Sequence, residues 1–205
     1  MGSRIALIDY GAGNLTSVRK GFAAVGAELF TPTSASELAG ATAIVVPGVG
    51  HFGATAAISS DWTEAIRDAL EAGKPLLGIC LGLQWLFDGS DEAPDVRGLG
   101  VIRGTCARIT AAPPLKVPHV GWNSLTPARP SPLLAGIDDG AKVYFTHTFA
   151  APVTAECVAT TTHGVTFCAA ASSGSAHGVQ FHPEKSGAAG LRVLRNFVGM
   201  TADAV

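Results

Sequence analysis

The chain has 205 residues, of which 47% are hydrophobic and 15% are charged, and its formal net charge at pH 7 is −2. The lysines and arginines form no basic tract, so we do not expect nucleic-acid binding. The apolar segments predict neither a signal peptide nor a membrane span. We expect one domain over residues 1–205, in a cytoplasmic protein whose four widely spaced cysteines stay reduced.

Apolar runs and helical patterns alternate through the first half of the chain. Strands are predicted over residues 4–9, 43–46 and 75–79, and helical segments over residues 15–25, 52–60, 62–71 and 81–87. This alternation predicts an α/β fold, a three-layer sandwich with a mostly parallel central sheet. Functional groups are then expected at the carboxyl ends of the parallel strands.

The second half of the chain has a different pattern. Short strands separated by turns are predicted over residues 142–145, 156–161, 166–171 and 176–181, and we expect them to be antiparallel additions to the sheet. Residues 111–132 are rich in proline and lack periodicity, which predicts an ordered surface loop. A closing helix is expected over residues 187–198.

Cys80 lies where the predicted strand 75–79 turns into a helical segment, with Gly78 and Gly82 two residues to either side. Such glycines relieve the crowding at a sharp strand-to-helix turn that carries a nucleophile. The positive end of the following helix favours a thiolate. The alternative is a buried structural cysteine that packs as a small apolar side chain.

His182 and Glu184 follow the last predicted strand and are separated by Pro183. Residues two apart in extended chain project to the same side, and the proline holds the preceding residue in the extended region. A thiol nucleophile needs a base, and the base needs a carboxylate to orient it, so Cys80, His182 and Glu184 predict a catalytic triad. Taken singly, the histidine could be an ordinary partly buried one and the glutamate a solvated surface charge.

A glycine-flanked loop, Pro47-Gly48-Val49-Gly50, follows the predicted strand 43–46. Acyl transfer needs backbone N–H groups that point at a developing oxyanion. We predict Leu81, the residue after the nucleophile, as one donor and the loop at Gly48 and Val49 as the other, because glycine lets the backbone rotate. The alternative is a simple turn that ends the strand.

Six segments of the chain resemble class I (triad-type) glutamine amidotransferases, and the resemblance covers almost the whole chain. The elbow at residues 78–84 and the segment 180–186 are shared by the class. Segments 8–15, 45–50 and 117–123 resemble the branch that acts in histidine biosynthesis, and segment 144–148 also matches. The resemblance implies a glutaminase in which Cys80 attacks the glutamine side-chain amide, His182 transfers protons and Glu184 orients His182. It implies no cofactor and no metal.

The resemblance also implies how glutamine is held. Gln84 and the backbone of Gly50, Thr148 and Phe149 would bind its amino and carboxylate ends. Relatives often have tyrosine at the position of Phe149, but a main-chain contact would tolerate the difference. The alternative for Gln84 is a helix residue that faces solvent, although its place one turn after Cys80 favours the site.

Ammonia is useful only if it avoids protonation in bulk water, so a partner is implied. The resemblance makes the partner a cyclase subunit, a (β/α)8 barrel that forms a heterodimer with this chain. Candidates for the interface or the channel mouth are Asn14, Pro118, His119, Trp122, Asn123, Tyr144 and His147. Trp122 could anchor the interface or could be a core tryptophan. His147 is expected to line or gate the site, since no second ligand at suitable spacing indicates a metal.

Two further expectations concern control and alternatives. Rotation of the Gly48–Val49 peptide is easy for glycine, so we expect a poorly competent orientation until the partner is loaded. Rival assignments are a glutaminase for pyridoxal phosphate, purine or anthranilate synthesis, a cysteine peptidase or esterase on a similar scaffold, and a binding subunit with a vestigial site.

Overall fold

The computed structural model describes residues 4–201. The strands are β1 (Ile5–Leu7), β2 (Leu29–Phe30), β3 (Ala43–Val46), β4 (Leu76–Ile79), β5 (Gly89–Ser90), β6 (Thr105–Arg108), β7 (His119–Ser124), β8 (Thr126–Pro127), β9 (Lys142–His147), β10 (Phe149–Ala150), β11 (Cys157–His163), β12 (Val165–Ser173) and β13 (Ala176–Val179). The helices are α1 (Leu15–Ala23), α2 (Ser60–Glu71), α3 (Leu81–Leu86) and α4 (Gly187–Met200), with 3₁₀ helices at Ala35–Gly40, Phe52–Ala57, Pro132–Leu134 and Pro183–Lys185.

Eight strands form a mixed central sheet in the order β2-β1-β3-β4-β13-β12-β11-β8. The five strands from β2 to β13 are parallel, and β12, β11 and β8 extend the sheet in antiparallel fashion. This arrangement confirms the predicted α/β fold with a mostly parallel sheet. Strand β13 was expected to be antiparallel, and that expectation is wrong, since β13 pairs in parallel with β4 and places Val179 opposite Ile79.

Two other predictions in the second half of the chain are also wrong. Strand β9 does not join the central sheet but forms a separate two-stranded sheet with β7, in which Trp122 lies opposite Tyr144. The segment 111–132 is not all loop, because it contains β7 and β8. The sequence did not indicate β7 because its apolar residues do not form a buried face. Val120 and Trp122 are exposed, at 58% and 56%.

The core lies on both faces of the central sheet, as strand geometry requires. Leu7 in β1 packs in one cluster with Phe22 of α1 and Phe197 of α4. Its neighbour Ala6 packs in a second cluster on the opposite face with Ile66 of α2. Adjacent strand residues therefore face two different helical layers, which explains why the parallel strands read as continuous apolar runs. None of the helices within residues 4–201 is long and apolar enough to cross a membrane.

Candidate active site

The strand-to-helix turn between β4 and α3 holds Cys80 in a strained backbone conformation. Its φ of 54° and ψ of −102° make it the one non-glycine residue with positive φ among residues 4–201. A Cβ atom on Gly78 would lie 2.5 Å from the Gly82 carbonyl oxygen, and one on Gly82 would lie 1.9 Å from the Val46 carbonyl oxygen. Both glycines are therefore required by close backbone approach, and strain of this kind is typical of a nucleophile elbow.

The parallel pairing of β4 with β13 brings His182 and Glu184 to the same end of the sheet as Cys80. Nδ1 of His182 lies 2.8 Å from Oε1 of Glu184, and both side chains are buried. Burial alone would lower the pKa of His182, but its interactions with Cys80 and Glu184 outweigh burial and raise that pKa to about 9. Because the carboxylate only accepts hydrogen bonds, Nδ1 carries a proton and Nε2 is the atom left for proton exchange.

The His182 Nε2 atom has no hydrogen-bond partner within the described residues although it is buried. A buried nitrogen without a hydrogen-bond partner costs free energy, and a catalytic role is one explanation for such a group in a native structure. The Cys80 N–H donates to the Val179 carbonyl oxygen at 2.7 Å, three residues before His182, and interaction with Cys80 contributes to the raised pKa of His182. The three side chains predicted as a triad are thus brought together from two distant parts of the chain.

The loop after β3 lies next to Cys80 and is hydrogen-bonded to the residue that follows it. The Leu81 N–H donates to the Gly48 carbonyl oxygen at 3.4 Å. Because C=O and N–H point in opposite directions across a trans peptide, the Val49 N–H is directed away from Leu81. The Tyr10 hydroxyl donates to the Pro47 carbonyl oxygen at 2.7 Å and fixes the start of this loop. Neither predicted oxyanion donor is therefore free toward Cys80 in this arrangement.

Cys80 opens onto a cavity of about 320 Å³, a volume at the small end of the range for ligand sites. Its lining comes from the turn at Cys80 and α3, the loops after β3 and β5, the residue before β7, and the segment from the end of β9 to β10. The lining residues are Gly50, Cys80, Leu81, Gln84, Glu92, Pro118, Thr146, His147, Thr148 and Phe149. All four residues expected to bind glutamine are among them.

Glu92 is a cavity residue that the sequence did not indicate. Its Oε2 accepts a hydrogen bond from the Phe52 N–H at 2.7 Å, which holds the carboxylate at the wall of the cavity. A carboxylate at this place can pair with the ammonium group of an amino-acid ligand. No periodicity or motif singles out Glu92, because it follows the two-residue strand β5 in an irregular segment.

The amide of Gln84 is used by the protein itself. Its Nε2 donates to the Phe149 carbonyl oxygen at 2.8 Å and to Gln180 Oε1 at 3.2 Å. The Phe149 oxygen also accepts from His147 Nδ1 at 2.9 Å, so both of its lone pairs are engaged. The expectation that Phe149 contacts glutamine through its main chain is therefore restricted to its N–H. Gln84 keeps its Oε1 for a ligand, and the alternative of a solvent-facing helix residue is wrong because the side chain is 4% exposed.

His119 and His147 lie beneath the surface rather than on it. His119 Nδ1 is 3.2 Å from His147 Nε2, and burial lowers the pKa of His119 to about 4 and that of His147 to about 3. Both rings are therefore neutral. With exposures of 3% and 7% they do not reach the surface, so of the predicted interface or channel mouth only the channel role stays a prediction for them, and His147 lines the cavity.

The remaining interface candidates lie around the mouth of the cavity or on exposed elements. Trp122 is exposed and stacks edge-on against half-buried Tyr144, so the alternative of a core tryptophan is wrong. Pro118 is exposed and also lines the cavity. Asn123 is half-buried and donates to the Thr162 carbonyl oxygen.

Asn14 has a structural role that the sequence interpretation did not include. It caps the N-terminus of α1, because its Oδ1 accepts a hydrogen bond from the Ser17 N–H at 3.1 Å. The residue is nevertheless exposed, so a contact with a partner stays a prediction.

The comparisons with known proteins identify the family of this chain. The family model of class I glutamine amidotransferases matches residues 6–200. The imidazole glycerol phosphate synthase subunit HisH of Deinococcus radiodurans is 45% identical over 197 residues, which cover 94% of this chain and 92% of the relative. The HisH subunit of Methanothermobacter thermautotrophicus is 47% identical over 195 residues, covering 95% of this chain and 97% of the relative.

Solved structures agree on the fold. A chain of the PurLQS structure from Thermotoga maritima matches with a TM-score of 0.75 at 20% identity, covering 97% of this chain and 99% of that one. The family follows from the family model and from the relatives that match over nearly the whole chain. The chain belongs to the class I glutamine amidotransferases and, within them, to the HisH subunits of imidazole glycerol phosphate synthase.

Proposed function

We propose that this chain hydrolyses glutamine to glutamate and ammonia at Cys80 and passes the ammonia to a cyclase subunit in histidine biosynthesis. The sulfur of Cys80 attacks the side-chain amide carbon, and His182 donates a proton to the departing nitrogen, so that ammonia leaves and a glutamyl thioester stays behind. Water, deprotonated by His182, then attacks the thioester, glutamate is released and the sulfur leaves as thiolate.

The observation that carries this proposal is the buried His182–Glu184 pair beside a strained cysteine. A His182 pKa of about 9 keeps the imidazolium populated at neutral pH, which supplies the acid that the leaving nitrogen needs. Glu184 holds the ring through its 2.8 Å contact with Nδ1, which leaves Nε2 toward the sulfur. A vestigial binding site would not need a strained backbone at one end and a buried charge pair at the other.

The cavity fits a small amino acid with an amide side chain. Glu92 offers a negative charge to the ammonium group, and the Gln84 Oε1 is a further acceptor. The side-chain amide would then extend toward Cys80. Binding of a free α-ammonium group also distinguishes this activity from that of a peptidase, because the residues inside a peptide substrate have no free α-ammonium group.

The oxyanion loop gives a reason for control by the partner. Attack on the amide needs the Gly48–Val49 peptide to rotate, so that the Gly48 oxygen leaves the Leu81 N–H and the Val49 N–H turns toward the substrate. We attribute this rotation to the loaded complex, because hydrolysis without an acceptor wastes glutamine. Residues 48–50 include exposed Val49, which a partner subunit can contact.

The proposed partner is the cyclase subunit of imidazole glycerol phosphate synthase, a (β/α)8 barrel, which makes imidazole glycerol phosphate and aminoimidazole carboxamide ribotide with the ammonia. Exposed Val120 and Trp122 on β7 provide an apolar surface beside Pro118 at the cavity mouth. Aromatic residues concentrate at the centres of protein interfaces, which supports this surface as the docking site. We place the complex in the cytoplasm, where the four free cysteines stay reduced.

The test is to mix the chain with the cyclase subunit, glutamine and the phosphoribosyl-formimino precursor, and to follow both glutamate and the cyclised product. We expect both to form, and glutamate to form more slowly when the precursor or the partner is omitted. Cys80→Ala is the control and should abolish both. Glutamate formation by Cys80→Ala, or equal glutaminase rates with and without the loaded partner, would contradict the mechanism and the loop control respectively.

A further inference from the structure

Gln180 directly follows β13 and precedes His182 by two residues, and its side chain has no role in the scheme above. It is fully buried, with 0% exposure. Its Nε2 lies 3.5 Å from the Cys80 sulfur, and its Oε1 accepts a hydrogen bond from Gln84 Nε2 at 3.2 Å. A buried amide is costly unless its polar atoms are paired, and here the partner of its N–H is the nucleophile itself.

The orientation of this amide follows from its neighbours. The Phe149 carbonyl oxygen can only accept, so the Gln84 atom that contacts it at 2.8 Å must be the nitrogen. That same nitrogen contacts Gln180, so Gln180 must present its oxygen to Gln84. The Gln180 NH₂ group is then turned toward Cys80. Through Gln84, the Phe149 carbonyl oxygen therefore determines that Gln180 presents a hydrogen-bond donor, and not an acceptor, to the Cys80 sulfur.

We propose that Gln180 is a catalytic residue whose side-chain N–H donates a hydrogen bond to the Cys80 sulfur whenever the sulfur carries negative charge. This occurs before attack on the amide and again when the sulfur leaves the thioester. No proton moves in this contact: the thiol proton goes to His182, and the amide keeps its own hydrogens. Hydrogen bonds to ionised acceptors are about twice as strong as neutral ones, so the contact favours thiolate over thiol.

The position of Gln180 complements that of the other groups near the sulfur. The titratable side chains that interact with Cys80 are His182, which follows β13, and Tyr10, which follows β1. Burial and the proximity of Cys80 raise the pKa of Tyr10, so it stays a neutral phenol. His182 changes its protonation state during turnover, whereas the Gln180 amide offers the same donor throughout. Its role in turnover rests on the proposed function, but its contact with sulfur does not.

The contact can be tested without glutamine, by the rate at which iodoacetamide alkylates the isolated chain at pH 7. Gln180→Met keeps the volume and removes the donor, and we expect alkylation to slow by about tenfold or more. The deficit should shrink near about pH 10, where an ordinary thiol ionises without help. Cys80→Ser confirms the labelled residue, since Cys80 lines the cavity and the other three cysteines do not.

Gln84→Met is the matched variant that separates chemistry from structure. It removes the same amide–amide hydrogen bond but leaves the Gln180 N–H at the sulfur, so it should slow alkylation less than Gln180→Met does. If the alkylation rates of the two variants fall by the same factor, and that factor does not change with pH, then Gln180 acts only through packing and the proposal is overturned. Alkylation of Gln180→Met at the wild-type rate would also overturn it.

Two further measurements complete the test. If Gln180→Met does not fold, the side-chain amide resonances of Gln180 in the otherwise unchanged chain should move when Cys80 is alkylated, and unmoved resonances would refute the contact. Slowed alkylation with wild-type glutaminase turnover in the cyclase complex would overturn the catalytic role. Slowed alkylation in a chain that never hydrolyses glutamine would support the contact and refute the proposed function instead.

Discussion

Glu184→Gln is the substitution that best isolates the charge in the triad. The glutamine oxygen can still accept from His182 Nδ1 at 2.8 Å, so the tautomer is retained while the negative charge is lost. Hydrogen bonds to charged groups are worth about 1.5–3 kcal/mol, and 1.36 kcal/mol corresponds to one pKa unit or a tenfold rate change. We therefore expect the pKa of His182 to fall from about 9 by about 1–2 units, and kcat to fall by about 10- to 100-fold.

The pH dependence of stability gives a second readout of the same charge. The folded pKa of His182 lies above its ordinary value of 6.5, so its protonation stabilises the fold fully below pH 6.5 and this stabilisation is lost as pH rises through about 9. The difference in unfolding free energy between wild type and Glu184→Gln should be largest below pH 6.5 and should shrink toward pH 10. Histidine NMR titration and denaturant unfolding measure the two effects.

The matched control is Glu71→Gln on the exposed end of α2, which should leave the His182 pKa, the rate and the pH profile of stability as they are. An unchanged His182 pKa in Glu184→Gln would refute the electrostatic role of Glu184. A stability difference that grows with pH would refute the sign of the linkage.

Three other substitutions test other parts of the site. Gly82→Ala places a Cβ atom 1.9 Å from the Val46 carbonyl oxygen and should lower the unfolding free energy by about 1–3 kcal/mol, measured by denaturant unfolding. Its control is Gly199→Ala in helix α4, where the added Cβ meets open space and should raise the unfolding free energy by about 0.5–1 kcal/mol. Glu92→Gln should raise KM for glutamine about tenfold with little change in kcat, and the opposite split in steady-state kinetics would contradict its role in substrate binding. Trp122→Ala should weaken cyclase binding by about 2 kcal/mol, measured by calorimetry, without lowering the thermal midpoint.

Local chemistry made the centre of the site predictable from sequence. The glycines around Cys80 indicated a strained turn, and the structure explains them, because a Cβ atom on Gly82 would lie 1.9 Å from the Val46 carbonyl oxygen. His182 and Glu184 were expected to share a side because they are two residues apart in extended chain. Their side chains do meet, but Glu184 lies in the 3₁₀ helix Pro183–Lys185, so the extended backbone expected there is wrong. No sequence pattern showed that Cys80 would meet His182 and Glu184. That contact was expected because a thiol nucleophile needs a base, and it depends on the long-range pairing of β4 with β13.

The features that the sequence did not reveal depend on groups far apart in the chain. The direction of β13 depends on β4, about 100 residues earlier, and its apolar run is the same for either direction. The contact of Gln180 with Cys80 needs both that pairing and the amide orientation that Phe149 imposes. His119 looked like a surface residue because it stands in a proline-rich segment, but its pairing with His147 across β7 and β9 buries it.

The balance of the site explains how hydrolysis can be restrained without disturbing the triad. Cys80, His182 and Glu184 lie together, whereas neither proposed oxyanion donor faces Cys80. On the proposed function, the absence of one such donor costs about 100- to 1000-fold in rate, or about 2.7–4 kcal/mol. The rotation that restores them breaks the Leu81–Gly48 hydrogen bond, which is long at 3.4 Å and is worth about 1 kcal/mol or less. Relief of a restraint cannot speed turnover by more than the free energy that holds the loop closed, so this hydrogen bond alone accounts for about a fivefold restraint. On the proposed function, a partner that contacts exposed Val49 couples ammonia production to its use by binding the rotated loop more tightly than the closed one.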